Sequence, residues 1–218
     1  MKNKAKWIWG GICLSLFLII IVFLFRVPIL MRSGQFMAPE GNYTADVAIL
    51  EGTEFIDRNI IMSGMNLLSS GKVKRLIIVL FLIAPSHRPF AINEDYPDLV
   101  KKEMEAFGVK ERDFRIIVTH IHHPITLTAA RGALETISKE DVKSAILLSP
   151  GFHTRRSYLV YQRVCIPFQI KIFPLACFNS YQLDHWWSQE RGLRDFAEEV
   201  LKLAYYLAGG YIPFKFSY

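Results

Sequence analysis

One histidine and two arginines lie close together in residues 149–156, which read Ser-Pro-Gly-Phe-His-Thr-Arg-Arg. The apolar run 145–148 precedes them and a helical pattern follows, so the sequence predicts a strand, a tight turn and a helix. In open α/β sheets, ligands bind at the carboxyl ends of strands, and helix N-termini attract anions through unpaired N–H groups and the macrodipole. His153, Arg155 and Arg156 are therefore candidates for an anion site, although both arginines would also suit a solvent-facing helix.

The side chains in this stretch divide into ligand-binding and proton-transferring groups. Arg156 follows His153 by three residues, so both can face the same side of the first helical turn. The planar fork of arginine suits phosphate or carboxylate, whereas histidine can act as a general acid or base near neutral pH. We predict a catalytic role for His153 and ligand-binding roles for Ser149, Arg155 and Arg156. The alternative for His153 is helix capping or contact with solvent.

Strands and helices alternate along the chain around this stretch. Apolar runs predict five strands, at residues 46–50, 76–83, 114–118, 145–148 and 169–173. Helical periodicity and capping residues predict five helices, at residues 58–70, 98–107, 126–137, 156–164 and 188–207. Short links between alternating elements indicate a Rossmann-like, three-layer α/β/α domain with a mainly parallel sheet.

Polar residues collect after the predicted strands. Five of the six histidines follow a strand, as do Glu51, Gly52 and Thr126. Because the carboxyl ends of parallel strands meet at one edge of a sheet, we expect these side chains to form a functional edge. The alternative is that these loops are polar only because loops are exposed.

Two of these histidines raise the possibility of a metal site. His120 and His122 are two residues apart, and on an extended segment they could share a zinc ion. Glu51, with His87 or His153, could complete the coordination if the loops converge. We predict a site without a metal, and we keep the zinc site of His120, His122 and Glu51 as the alternative.

The N-terminus is typical of a membrane anchor. Residues 7–25 are almost continuously apolar, which is enough for a helix to cross a bilayer. Lys2, Lys4 and Lys6 precede this run, so the positive-inside rule places residues 1–6 in the cytoplasm and the domain outside. We predict an anchor at 7–30, a tether at 31–45, the domain at 46–210 and an aromatic tail at 211–218. A cleaved signal peptide is the alternative for the anchor.

The charge of the remaining chain excludes one class of partner. Residues 31–218 hold 22 basic and 20 acidic side chains, without a basic stripe interleaved with aromatic residues. That balance is ordinary for a soluble surface, so we do not expect nucleic-acid binding. The sequence identifies no cofactor.

The order of motifs resembles the YdcF-like family, also called the domain of unknown function 218 family, which includes the SanA-type and ElyC-type envelope proteins. The similarity covers roughly residues 46–210. It is carried by Asp-Val-Ala-Ile-Leu-Glu-Gly at 46–52, Arg58, His-Pro-Ile-Thr-Leu-Thr-Ala-Ala at 123–130, Ser-Pro-Gly-Phe-His-Thr-Arg-Arg at 149–156, and Glu-Glu-Val-Leu-Lys-Leu at 198–203 after two tryptophans. The family's Ser-Gly-Gly after the second strand is replaced by Leu-Phe-Leu-Ile, and its middle acidic residue is absent.

The resemblance implies ligand-binding roles for Gly52, Arg58 and Thr126 beside His153 and Arg156. Arg58 could instead pair with Glu51. It also implies an envelope protein that binds or acts on an anionic, phosphorylated metabolite or a lipid-linked precursor. The alternatives are a non-catalytic barrier or scaffold protein, a histidine-rich metal-dependent hydrolase, and an S-adenosylmethionine binder of the kind reported in the soluble branch.

Overall fold

The computed structural model describes residues 11–213 except 13, 18–19, 22, 53–55, 82–94 and 121. The strands are β1 (Val47–Glu51), β2 (Arg75–Phe81), β3 (Phe114–Thr119), β4 (Ser144–Pro150) and β5 (Lys171–Cys177). The helices are α1 (Arg26–Met37), α2 (Arg58–Ser69), α3 (Tyr96–Ala106), α4 (Ile125–Ile137), α5 (His153–Val164) and α6 (Glu190–Ala208). Short 3₁₀ helices lie at Glu111–Asp113, Ile166–Phe168 and Trp186–Ser188.

The five strands form one sheet in the order β3-β2-β1-β4-β5, and every pair is parallel. The predicted Rossmann-like α/β fold is therefore confirmed. One strand end and one helix start differ from the prediction in ways that matter for the site. β4 continues to Pro150, and α5 begins at His153 instead of Arg156, so His153 lies within the first helical turn.

Helices cover both faces of the sheet because neighbouring residues in each strand point to opposite faces. Val47 and Ile49 pack in one apolar cluster with α1, α4, α5 and α6. Ala48 and Leu50 pack in the other with α2 and α3. This arrangement gives the three layers. It also places the next residue of β1, Glu51, on the face that α5 covers.

The order of the strands creates a crevice between β1 and β4. The chain moves outward from β1 through β2 to β3, returns to β4 on the other side of β1, and ends at β5. In sheets of this kind, the crevice beyond the carboxyl ends of the two central strands is the usual ligand site. Leu50 pairs with Leu148 in the register, so Glu51 and Ser149 emerge side by side at this crevice.

Asp46 fixes the opposite ends of the same two strands. Its carboxylate accepts hydrogen bonds from Ser144 Oγ at 2.9 Å and from the backbone N–H groups of Lys143 and Ser144 at 3.1 Å each. Lys74 donates at 3.1 Å, and with these donors it lowers the pKa of Asp46 to about 2. The residue that opens the family-like motif thus holds β1 against β4.

Residues 31–45 differ from the expected tether, because they begin within α1, which packs on the domain. Gly34 and Met37 are buried, and Trp186 donates from Nε1 to the carbonyl of Leu30 at 3.1 Å. The predicted anchor at 7–30 lies partly outside the described residues. Among the residues that the structure describes, no helix is both long and apolar enough to cross a membrane.

The close contact of α1 with Trp186 predicts a cost for any side chain at position 34. A Cβ on Gly34 would lie 2.7 Å from Trp186 Nε1 and 3.0 Å from Leu183 Cδ1, so the buried indole would have to shift. We expect Gly34→Ala to lower the free energy of unfolding by about 1–3 kcal/mol, measured by chemical denaturation of the full chain. Gln35→Ala, at the exposed neighbouring position, should change it by less than about 0.5 kcal/mol. Equal stability of the two variants would contradict the packing of α1.

Candidate functional site

A buried carboxylate, Glu51, lies at the carboxyl end of β1. Only 3% of the residue is exposed. Ser149 Oγ and Ser157 Oγ each donate a hydrogen bond of 2.5 Å to Glu51 Oε2. His153 Nε2 lies 3.4 Å from the same oxygen. A buried carboxylate is tolerated only when donors or a positive charge compensate for lost water, and these three side chains provide that compensation.

His153 lies between two carboxylates. Its Nε2 faces Glu51, while its Nδ1 lies 3.4 Å from Glu199 Oε2 and 2.7 Å from Arg156 Nη2. Because arginine can only donate, Nδ1 accepts in this contact. The neutral imidazole then carries its proton on Nε2, toward Glu51. A second proton on Nδ1 requires that Arg156 Nη2 withdraw and that Glu199 become the partner.

Arg156 is held by groups of the protein itself. Its Nε and Nη2 donate to the two oxygens of Glu199 at 2.9 and 3.0 Å, which is a bidentate pair. Its Nη1 donates to Thr126 Oγ1 at 2.7 Å, and its guanidinium lies over the Tyr206 ring at 4.9 Å from the centroid. The arginine therefore joins α4, α5 and α6 instead of offering a vacant fork to a ligand.

The surroundings shift the pKa of each of the three central groups, Glu51, Glu199 and His153, in the direction of its charged form. Burial opposes ionisation of Glu51, but the charge of His153 and the hydrogen bonds from His153, Ser149 and Ser157 lower its pKa overall. Burial opposes ionisation of Glu199 too, but His153 and Arg156 lower its pKa far below the usual value. Burial and Arg156 disfavour protonation of His153, but Glu51 and Glu199 outweigh them and raise the His153 pKa.

A cleft of about 190 Å³ opens above this network. His153 and Glu199 contribute to its wall, and the N-terminal end of α5 forms one side. The remaining wall comes from the N-cap of α2, the turn between β4 and α5, the end of β5 with the residues after it, and one flank of α6. These residues are Asp57, Pro150, Gly151, Phe152, Cys177, Phe178, Asn179, Ser180, Tyr181, Arg191, Asp195, Glu198 and Lys202. The cleft is therefore polar, with more acidic than basic side chains around it.

The structure brings together four of the predicted site residues. Ser149 and His153 contact Glu51, and Arg156 contacts both His153 and Thr126. This cluster matches the predicted convergence at the carboxyl edge of the sheet.

Three other predicted ligand-binding residues lie elsewhere. Arg155 points to α1, where its Nε donates to the Phe36 carbonyl at 2.5 Å and its guanidinium lies 4.3 Å from the Phe36 ring centroid. Arg58 is exposed and lies over the Phe107 ring at 5.8 Å, so it does not pair with Glu51.

Gly52 donates from its N–H to the Val79 carbonyl at 3.0 Å, and a Cβ there would lie 2.7 Å from that oxygen. The backbone of β2 therefore leaves no room for a side chain at position 52, which explains why this residue is a glycine.

The structure does not bring together the residues of the alternative zinc site, His120, His122 and Glu51. Both histidines are exposed and follow β3, which β2 separates from β1. Within the described part of the chain, no group of three or more histidine, cysteine, aspartate or glutamate side chains could hold a metal ion. His87, which was the other candidate ligand, lies outside the described residues.

Two functional residues were missed by the sequence prediction, Glu199 and Ser157. The helical spacing of Phe196, Val200, Leu203 and Leu207 is typical of a core-packing stripe, but Val200 is exposed and Glu199 is buried. A charged residue in a core-facing stripe could have indicated an ion pair. Ser157 follows His153 by four residues, a spacing that places both on one face of α5.

Tyr161 continues this face by another four residues, and it carries an unpaired hydroxyl. It is completely buried, and its Oη has no hydrogen-bond partner among the described residues. Burial and the charge of Glu51 raise its pKa well above the usual value, so the phenol stays neutral.

The fold and the site together define a Rossmann-like α/β domain with a buried acid–histidine–arginine network at the crevice. Comparisons with protein-family models, with curated proteins and with solved structures find no match for this chain.

The buried carboxylate should be necessary for stability. Glu51→Gln keeps the shape of the side chain but removes the charge that the two serines and His153 stabilise. We expect a loss of about 2–3 kcal/mol in the free energy of unfolding, measured by urea denaturation. Glu198→Gln is the matched control, because its side chain is half exposed on α6, and it should change stability by less than about 0.5 kcal/mol. If Glu51→Gln were as stable as this control, the role of Glu51 would be contradicted.

The same network predicts how stability depends on pH. The pKa values of Glu51 and Glu199 are lowered from 4.5, so their contribution is present above pH 4.5 and is lost as the pH falls. The pKa of His153 is raised from 6.5, so its contribution is complete below pH 6.5 and is lost as the pH rises through the folded value. The stability difference between wild type and His153→Asn should thus be greatest between pH 4.5 and pH 6.5. A difference that is independent of pH would contradict the assignment.

Proposed function

We propose that the domain is the ligand-processing part of a membrane-anchored envelope protein of the YdcF-like type. We propose that it acts on an anionic, phosphorylated metabolite or lipid-linked precursor, with His153 as the proton-transferring residue. The observation that carries this proposal is the position of His153 at the cleft, between two buried carboxylates that raise its pKa. A histidine with a raised pKa can supply a proton to a leaving group near neutral pH. Here the proton would leave from Nδ1 after Arg156 Nη2 has withdrawn from it, and the neutral imidazole would keep its other proton on Nε2, toward Glu51.

The residues behind His153 would position it for this role. Glu51 lies on the Nε2 side of the ring, and Ser149 and Ser157 hold the carboxylate in place. Arg156 contacts Nδ1, so the orientation of the ring is restricted from both sides. We assign Glu51 and Arg156 as positioning residues and only His153 as catalytic. This assignment changes the expected role of Arg156 from binding a ligand to fixing the histidine.

The charges around the cleft narrow the class of ligand. An anionic group would meet protonated His153, the N-terminal end of α5, and Lys202 or Arg191 at the opening. Asp57, Asp195 and Glu198 line the same opening. Dense negative charge is disfavoured there, so the cleft best suits a ligand that combines one anionic group with polar or cationic groups.

The resemblance to envelope proteins and the apolar N-terminal segment with its preceding lysines support the proposed location. Both features predict a single-pass anchor with the N-terminus in the cytoplasm and the domain on the extracytoplasmic side. This location provides access to lipid-linked precursors.

A non-catalytic scaffold is the second candidate, and one observation favours it. The contacts of Arg156 with Glu199, Thr126 and His153 are all internal. The network therefore also serves as a structural connection between three helices and the sheet. The scaffold proposal predicts that chemistry at His153 is dispensable while the fold is not.

Replacement of His153 distinguishes the two functions. The wild-type chain, His153→Asn and the exposed-histidine control His185→Asn would be incubated with envelope extract, and bound and released small molecules would be compared by mass spectrometry. We expect wild type and His185→Asn to convert a molecule that His153→Asn binds unchanged, with a loss of conversion of at least about 100-fold. Each variant would also be tested for restoring envelope integrity in a deletion strain. Full restoration by a folded His153→Asn would contradict the catalytic proposal and support the scaffold.

A further inference from the structure

An apolar stripe runs along the outer face of α6. Helical spacing places seven apolar residues on this face, and all of them are exposed. The α6 stripe consists of Leu193, Ala197, Val200, Leu201, Ala204, Tyr205 and Ala208. The exposed fractions of its large members are 49% for Leu193, 40% for Val200, 72% for Leu201 and 59% for Tyr205. Isolated exposed apolar side chains are common, but a contiguous row of them marks an interaction surface.

The α6 stripe adjoins α1. Trp186 contacts Gly34 in α1 and stacks on Phe196 in α6 at 4.3 Å between ring centroids. Phe196 lies at the edge of the buried face of α6, and Leu193 and Val200 are the next residues around the helix. The first turn of α1 adds two exposed apolar side chains, Val27 and Ile29.

Further apolar surface precedes α1 along the chain. The described residues of 11–25 have helical or turn backbone, and their large apolar side chains, except the half-buried Ile21, are exposed. They are Ile12, Leu14, Leu16, Phe17, Ile20, Phe23, Leu24 and Phe25. Exposed apolar residues therefore continue from this segment through the start of α1 to the neighbourhood of the α6 stripe.

We propose that the α6 stripe is a docking surface for a lipid bilayer, on which the domain lies beside its N-terminal segment. The continuity of the stripe with the apolar residues before α1 selects lipid as the occupant, because one bilayer can cover both surfaces at once. Amphipathic helices bind membranes with apolar and aromatic residues on the lipid side and charged residues along the margin. Arg191, Glu198 and Lys202 provide such a margin along one side of the stripe on α6.

This orientation would place the cleft at the bilayer surface. Glu198 and Lys202 line the cleft, and they are the neighbours of Leu201 and Tyr205 around α6. A headgroup attached to a lipid could then reach His153 without leaving the membrane. The docking surface itself does not depend on the chemistry of His153, so each proposal can fail separately.

A photocrosslinking experiment tests the docking surface directly. Leu201→p-benzoylphenylalanine would be introduced into the full chain, which is then reconstituted into vesicles of phosphatidylethanolamine and phosphatidylglycerol and irradiated. Met62→p-benzoylphenylalanine is the matched control, because Met62 is an exposed apolar residue of α2 in the opposite helix layer. Mass spectrometry would identify the adducts, and we expect several-fold more phospholipid adduct at position 201 than at position 62.

Two outcomes would overturn the proposal. A crosslink from position 201 to a second copy of the chain would show that another protomer covers the stripe. Equal phospholipid adduct at positions 201 and 62, including none at either, would show that the stripe does not face lipid. Circular dichroism would verify that both variants are folded, and Tyr205→p-benzoylphenylalanine provides a second position on the stripe in case Leu201 does not tolerate replacement.

Discussion

Two carboxylates, Glu51 and Glu199, are buried at the same edge of the sheet, and their charge must be compensated within the protein. The requirement is met by one histidine, one arginine and two serine hydroxyls that come from β4 and α5. These contacts join β1 to β4 and α5 through Glu51, and α5 to α6 through Glu199. Each partner must lie at a defined position for the charge to be compensated, so the buried carboxylates constrain how these four elements are arranged around the cleft.

α6 satisfies three separate demands along one helix. Its inner face carries Glu199 to Arg156 and packs Leu203 and Tyr206 in the core. One flank lines the cleft with Arg191, Glu198 and Lys202, while its outer face carries the exposed apolar stripe. Because the turns of the helix fix these faces relative to one another, a movement of α6 would alter the cleft, the histidine and the outer surface together.

Much of the fold could be predicted because local chemistry determines it. Apolar runs marked the five strands, and Asp57 caps α2 by accepting from the Asn59 N–H at 2.8 Å, as its position before the helix indicated. Gly71 follows the C-terminal end of α2, where its backbone has a positive φ of 72°. The start of β5 was predicted at residue 169, which was wrong. Gln169 adopts a left-handed backbone conformation, with φ of 55°, and the strand begins only after it, at Lys171. A single residue of unusual backbone is difficult to predict from composition.

The candidate site was predicted only in part, because side-chain partners depend on tertiary contacts. His153, Arg156, Thr126 and Ser149 were expected to converge and do so. Arg155 adjoins Arg156 in sequence, but a helical turn of about 100° per residue directs it to α1 instead. Glu199 lies 43 residues from Arg156, and no local pattern indicates that pairing.

Glu51 and Glu199 are expected to keep His153 protonated more readily than a free histidine. An NMR titration of the imidazole resonances of the full chain measures this effect, with His153 identified by comparison with His153→Asn. We expect a His153 pKa above 6.5, and a decrease of that pKa in Glu51→Gln. A pKa at or below 6.5 that Glu51→Gln leaves unchanged would contradict it.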